Sequence, residues 1–276
     1  MNRRVLSLTL LLACFSWVVQ AEGRIVESFN SGWVFKKAPA SKELAVNAPK
    51  WESGWTEVEI PHTWNAKDMQ TQYDQFYERP AYYKKHYFFP AGLKDKRVFL
   101  RFEGVGAVAE VYVNGSLVTT HKGAYSAFSC EIGTVLKPGA DNEIIVKADN
   151  ASRPDVIPIN HVLFGVYGGM YRPVWLIVTD PYNICVTDCA SSGVYITQKN
   201  VSKKQADVKV KVKLDNGTLQ PAPLTLQNTI YDREGKQIGN PEPLVRPDTA
   251  GRTVVRNRFQ DQESHLVAGP EEPLSV

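Results

Sequence analysis

Beyond Ala21, no window longer than about ten residues repeats its apolar positions with the 3.6-residue period of an amphipathic helix. Short runs of alternating apolar and polar residues recur instead, punctuated by Gly, Pro, Asn and Asp. Arg97–Phe102 alternates, as does Ala109–Val113. The second run is followed by Asn114-Gly115 and then Leu117-Val118. Both turn residues tolerate positive φ, so this stretch predicts a β-hairpin. Further strands are predicted at Glu143–Ala148, Val174–Thr179, Asp207–Leu214, Leu224–Tyr231 and Thr253–Phe259. In one of them Val208, Val210, Val212 and Leu214 alternate with Lys209, Lys211 and Lys213. That pattern gives one buried face and one wet, charged face. The spacing of the strands predicts an all-β protein built from β-sandwiches.

Composition divides the chain. All six tryptophans precede Asp180-Pro181, after which Lys, Asp, Gln and Pro dominate. An aromatic-rich sandwich over 22–180 and a leaner β module over 181–276 are expected. With 276 residues, 43% hydrophobic and 22% charged, the chain is globular. A (β/α)₈ barrel alone takes about 250 residues, so a barrel with a large companion does not fit.

The first residues read differently. Arg3 and Arg4 precede a continuous apolar run, Val5–Val19, which closes on Val19-Gln20-Ala21. Basic start, short apolar core and small residues before the cut are the pattern of a secretory signal peptide over 1–21. Export to the periplasm or the cell exterior is expected. Leu11-Leu12-Ala13-Cys14 offers a rival, a lipobox in which Cys14 is lipidated and anchors the chain to a membrane. The formal net charge is +3, and Arg3 and Arg4 supply two of those charges. The near-neutral remainder gives no electrostatic case for nucleic acid or an anionic membrane as partner. Cys130, Cys185 and Cys189 are too few for a disulfide framework and lack a companion His at zinc-like spacing, so they are expected to be small buried hydrophobes. No metal and no cofactor is expected.

A connected series of motifs runs through the first module: Phe29-Asn-Ser-Gly-Trp33-Val-Phe35, Val58-Glu-Ile-Pro-His62-Thr-Trp64-Asn65 and Tyr82-Tyr83-Lys84-Lys85. It continues through Phe102-Glu-Gly-Val105, Ala109–Gly115 and Gly123-Ala-Tyr-Ser-Ala-Phe128. It closes on Asn142-Glu-Ile-Ile-Val146, Ala148-Asp-Asn150 and Tyr167-Gly-Gly-Met-Tyr-Arg-Pro-Val174. In this order and spacing the motifs closely resemble the N-terminal sugar-binding domain of glycoside hydrolase family 2, the β-galactosidase, β-glucuronidase and β-mannosidase family. The resemblance covers roughly 24–180, and no single motif carries it. It implies a jelly-roll (galactose-binding-like) β-sandwich. From 181 on, weaker motifs resemble the family's immunoglobulin-like β-sandwich, here incomplete. Trp33, Trp64 and Trp175 are expected mainly in core packing, with stacking on a sugar ring as the minor alternative.

What the resemblance implies for chemistry is narrower than the family name. In these enzymes a third domain, a (β/α)₈ barrel, hydrolyses O-glycosyl bonds with two carboxyl groups about 5–5.5 Å apart. The N-terminal domain lends loops to the sugar subsite. One of them, ahead of the Gly-Gly-x-Tyr-Arg motif, reads Pro158–Tyr167, and Leu163 stands where the family often places an Asp. Asn160 and His161 are the nearest polar substitutes. A second loop, Glu78-Arg-Pro-Ala-Tyr82, departs from the family's Arg-Gly-x-Gly-Trp. Glu78, Asn160, His161 and Arg172 are the candidate carbohydrate contacts, with ordinary loop roles the alternative for Asn160 and His161 and a cross-domain pairing for Arg172. No catalytic residue is assigned: the barrel signatures are missing, and Asn142-Glu143 begins a sandwich strand.

The tail His265-Leu-Val-Ala-Gly-Pro-Glu-Glu-Pro-Leu-Ser-Val276 stands where the family writes Pro-x-Leu-Trp…Pro-x-Leu-Tyr. One choice of codons, with a single G removed after Leu266, reads His-Leu-Trp-Gln-Gly-Arg-Lys-Asn-Pro-Tyr-Leu. A one-nucleotide insertion near Leu266 is therefore expected in the gene. The sequence as a whole predicts a truncated, exported family 2 member without hydrolytic activity of its own. A stand-alone carbohydrate-binding module and a non-functional fragment are the alternatives.

Overall fold

The computed structural model describes residues 23–38, 53–68, 76–157, 165–202, 206–218, 223–238, 244–247 and 251–261. Over these residues the chain is all-β and antiparallel throughout. The first ten strands are β1 (Ile25–Ser28), β2 (Trp33–Lys37), β3 (Thr56–Val58), β4 (Ala81–Phe89) and β5 (Arg97–Phe102), then β6 (Val108–Val113), β7 (Ser116–Lys122), β8 (Phe128–Glu131), β9 (Ala140–Asp149) and β10 (Val174–Thr179). They form a six-stranded sheet in the order β3-β2-β4-β9-β6-β7 and a four-stranded sheet in the order β1-β10-β5-β8.

Alternation decides what lies between the sheets. Val98, Leu100 and Phe102 of β5 and Val174, Leu176 and Val178 of β10 share one buried cluster with Val111 and Val113 of β6 and Ile144 and Val146 of β9. Trp33 and Tyr83 are buried in the same cluster. Burying each such side chain contributes about 1.5–3 kcal/mol. Trp175, expected in core packing, lies on the other side of β10, half-buried against Phe99, Ile177 and Val186. The Asn114-Gly115 hairpin forms as predicted, with both residues at positive φ. The Asn114 side chain adds a link the pattern did not reveal. Its amide donates to the Val135 carbonyl at 2.9 Å and to Asn142 Oδ1 at 2.8 Å.

The following strands are β11 (Tyr182–Ile184), β12 (Val194–Lys199), β13 (Ala206–Asn216), β14 (Pro223–Leu226), β15 (Ile230–Tyr231), β16 (Gln237–Ile238), β17 (Leu244–Pro247) and β18 (Gly251–Asp261). β13 is central: β11 and β12 pair along one edge and β18 along the other. Its alternation works as the sequence predicts, with Val210, Val212 and Leu214 buried and Lys209 exposed. The strand expected over Leu224–Tyr231 is broken in two. β14 pairs with β17, whereas β15 turns back on β16 through Asp232–Gly235. Gly235, at φ 79°, permits that turn.

Arg97 ties this region to the sandwich. Its guanidinium grips Glu131 at 2.9 and 2.6 Å, lies 3.9 Å from Asp215 and stacks on Phe99. Cys130 and Cys185 are buried free thiols, as expected, but Cys189 is exposed. It sits at φ 51° in the turn after Thr187 rather than in a strand, so no apolar face is there to cover it.

Candidate functional site

A polar constellation forms where the β3–β4 and β9–β10 connections meet beside the six-stranded sheet. Asn65 and Asn150, both without exposed surface, are its centre. Asn65 Oδ1 accepts from the Gly168 N–H at 2.8 Å and from Asn150 Nδ2 at 3.2 Å. Asn65 Nδ2 donates to Asp68 Oδ2 at 2.7 Å and to the Tyr77 carbonyl at 3.1 Å. Asn150 Nδ2 donates to the Val166 carbonyl at 2.8 Å and the Tyr77 carbonyl at 3.0 Å, and its Oδ1 accepts the Arg79 N–H at 3.1 Å. Asp68 Oδ2 also accepts the Tyr77 N–H at 3.0 Å. Both asparagines thus use donor and acceptor together. A buried amide with its partners made is stabilising, and one left unpaired costs about 1–3 kcal/mol.

Aromatic rings frame the network. The Trp64 indole N–H donates to the Tyr77 carbonyl at 3.2 Å, and its ring presses on Gly168 so closely that a Cβ there would lie 1.9 Å from Cζ2. Gly169, at φ 117°, leaves a Cβ no room either: His62 O and Tyr83 Oη would each be 2.5 Å away. The two glycines therefore let this turn pass between Trp64 and the His62–Tyr83 pair. His62 Nδ1 lies 2.8 Å from the Tyr83 hydroxyl. Burial, and secondarily the charge of Lys37, holds the His62 imidazole below its ordinary pKa. Burial pushes the Tyr83 phenol far above its own. Both are neutral near pH 7. Phe76 and Tyr167 meet edge to face at 5.9 Å, and Tyr167 remains 44% exposed.

The predicted residues fall as follows. Glu78, half-buried, lies between Tyr77, whose carbonyl takes three of these hydrogen bonds, and Arg79, whose N–H is held by Asn150. Arg172 is exposed beyond the Gly-Gly turn. It lies over the Tyr171 ring and donates to the Tyr125 carbonyl at 3.4 Å. Asn160 and His161 lie outside the described residues. Asn65, Asn150, Asp68 and Tyr77 were not singled out for a role. The available signal was two asparagines inside β-rich motifs, each a single residue past a buried or strand position. The two amides are buried and spent on each other and on the loops, so their work is to fix the loops. What the arrangement presents outward is the Tyr167 ring, a surface suited to the apolar face of a hydroxylated ligand. Among the described residues no group of three His, Cys, Asp or Glu is disposed to hold a metal ion.

Comparison with known proteins fits this architecture. The family model for glycosyl hydrolases family 2, sugar binding domain, matches residues 15–181. A β-glucuronidase of Bacteroides fragilis is 40% identical over 159 residues, covering 58% of this chain and 23% of its own length. A crystal structure of a Bacteroides fragilis protein described as a "putative beta-galactosidase" has TM-score 0.83 and 61% identity over 88% of this chain and 36% of that one. The structure of a Bacteroides uniformis β-glucuronidase gives TM-score 0.79 at 29% identity, covering 87% and 28%. The structural likeness thus continues past residue 181. The chain spans about a quarter to a third of the length of the relatives it matches.

Proposed function

The chain belongs to glycosyl hydrolase family 2, and from that premise we propose that its work is carbohydrate recognition, as the sugar-binding module of an exported β-glycoside hydrolase. The match of 15–181 to the family's sugar-binding domain carries this reading. Relatives named β-glucuronidase and β-galactosidase support uronides and galactosides as candidate ligands. Hydrogen bonds from the buried Asn65–Asn150 pair tether Val166 and Gly168 on either side of the exposed Tyr167, and Glu78 stands one residue from Tyr77. A pinned loop binds at low entropic cost. In this reading Tyr167 meets the apolar face of a sugar ring. Glu78, Asn160 and His161 supply polar contacts, and Arg172 holds the Tyr125 carbonyl while Tyr171 holds that of Ala124. Residues 181 onward act as the family's immunoglobulin-like module.

Hydrolysis is not the work of these residues by themselves. A glycosidase barrel is made of parallel strands with its carboxylates at their ends, whereas the described residues pair only antiparallel. Export is supported by the Arg3-Arg4 start, the Val5–Val19 apolar run and Ala21. The test is ligand-observed saturation-transfer NMR on the 276-residue chain with methyl β-glucuronide, β-galactoside and β-mannoside. Saturation of one of them, reduced in Tyr167→Ala, supports the reading. Transfer to none of the three overturns it.

A further inference from the structure

The sheet around β13 carries a charge pattern that recognition by the sandwich leaves unused. The even-numbered residues Val208, Val210, Val212 and Leu214 close an apolar cluster with Val194 and Leu226. The odd-numbered positions hold Lys209, Lys211 and Lys213. Register places further cations beside them. Lys209 stands opposite Arg258 and Lys211 opposite Arg256 on β18, while Thr197 and Tyr195 of β12 occupy the other edge. Directly opposite positions in an antiparallel pair share a face about 4.5–5.5 Å apart, and like charges there are destabilising.

Among the described residues, carboxylates stand only around the margins of this block. Asp188 takes the Lys213 ammonium at 2.6 Å and also accepts from the Tyr195 hydroxyl. Asp207, at one end, accepts from the Asn200 amide at 2.7 Å. Asp215, at the other, lies toward Arg97. No carboxylate stands opposite Lys209 or Lys211 in the register. The Lys211 ammonium lies 4.7 Å from the Tyr195 ring, which helps to fix its position.

We propose that this three-strand face binds an acidic polysaccharide, a glycan carrying uronate groups along its length. Alternate strand positions recur about every 6.6 Å, so Lys209 to Lys213 presents charge over roughly 13 Å. That spread suits a chain with recurring anions better than a single sugar. The sugar class rests on the carbohydrate reading of the chain, and the charge rests on the register alone.

Affinity electrophoresis of the 276-residue chain tests this, with gels containing polygalacturonate, dextran sulfate, neutral dextran or double-stranded DNA. Polygalacturonate should retard the chain and neutral dextran should not. Raising salt from about 50 to about 200 mM should weaken the retardation several-fold. The double variant Lys209→Gln, Lys211→Gln should weaken it at least five-fold at unchanged melting temperature, whereas Tyr167→Ala leaves it intact. No retardation by polygalacturonate, salt-independent retardation, or tighter binding to DNA or dextran sulfate overturns the proposal. Should the double variant melt lower, the wild-type salt dependence and polymer preference decide. Retardation by polygalacturonate together with silence toward simple glycosides fails the sandwich reading and leaves this one standing; the reverse result fails this one alone.

Discussion

Asn65 Oδ1 accepts the Gly168 N–H at 2.8 Å, joining positions 103 residues apart in sequence. Neither partner has water to fall back on, because both are buried. Asn65→Ala strands the Gly168 N–H and removes one acceptor of Asn150. A loss of about 2–4 kcal/mol is expected from these unmet groups. Asn65→Asp should cost more, since an oxygen then replaces the amide that faces Asp68 at 2.7 Å. Urea denaturation followed by tryptophan fluorescence checks both. Every tryptophan precedes residue 180, so the signal reports the sandwich.

Gly168→Ala tests the packing side of the same turn. The added Cβ would sit 1.9 Å from Trp64 Cζ2, so the indole must move. Overpacking of this kind costs about 1–3 kcal/mol or more, and the Trp64 emission should shift as its ring is displaced. Gly92→Ala is the control. Nothing lies within 4 Å of its Cβ position, and its stability should change by less than about 0.5 kcal/mol.

These two positions also mark what could be read from sequence. The strands of the sandwich core were legible because Val98–Phe102 and Val174–Val178 are short apolar, β-branched and aromatic runs bounded by turn residues, and because Asn114-Gly115 tolerates the positive φ a tight hairpin needs. The family resemblance was legible in the ordered motifs. The asparagine network was not, because Asn65, Asn150 and Gly168 become partners only when distant loops close on one another. The break after Leu226 was missed for a related reason. The apolar pattern of Leu224–Tyr231 does not say which of two partners, β17 or β16, each half takes.

Stability should fall as the solution is acidified below neutrality. His62 is held below its ordinary value by burial and then by Lys37, and His121 is lowered by burial. The unfolded chain takes up these protons near pH 6.5, before the folded one does, so it binds more protons. The contribution is whole above about pH 6.5 and is lost as pH falls through the lower folded values. The urea midpoint should drop between about pH 7.5 and 5.5, and His62→Gln should flatten that slope.

The thiols should react unequally. Burial raises the Cys130 thiol to about 12, and burial also raises Cys185, whereas Cys189 is exposed. Thiolate is the reactive form. Iodoacetamide at about pH 8 should label Cys189 in the folded chain and leave Cys130 and Cys185 unmodified until denaturant is added, as read by peptide mass mapping.

Isothermal titration calorimetry of the purified 276-residue chain with nitrophenyl β-glucuronide, β-galactoside and β-mannoside reads recognition and hydrolysis in one trace. Recognition without catalysis predicts a saturable heat for at least one glycoside and a return to baseline after each injection. A sustained heat flow that scales with protein, or the absence of saturable heat for all three, would contradict the account.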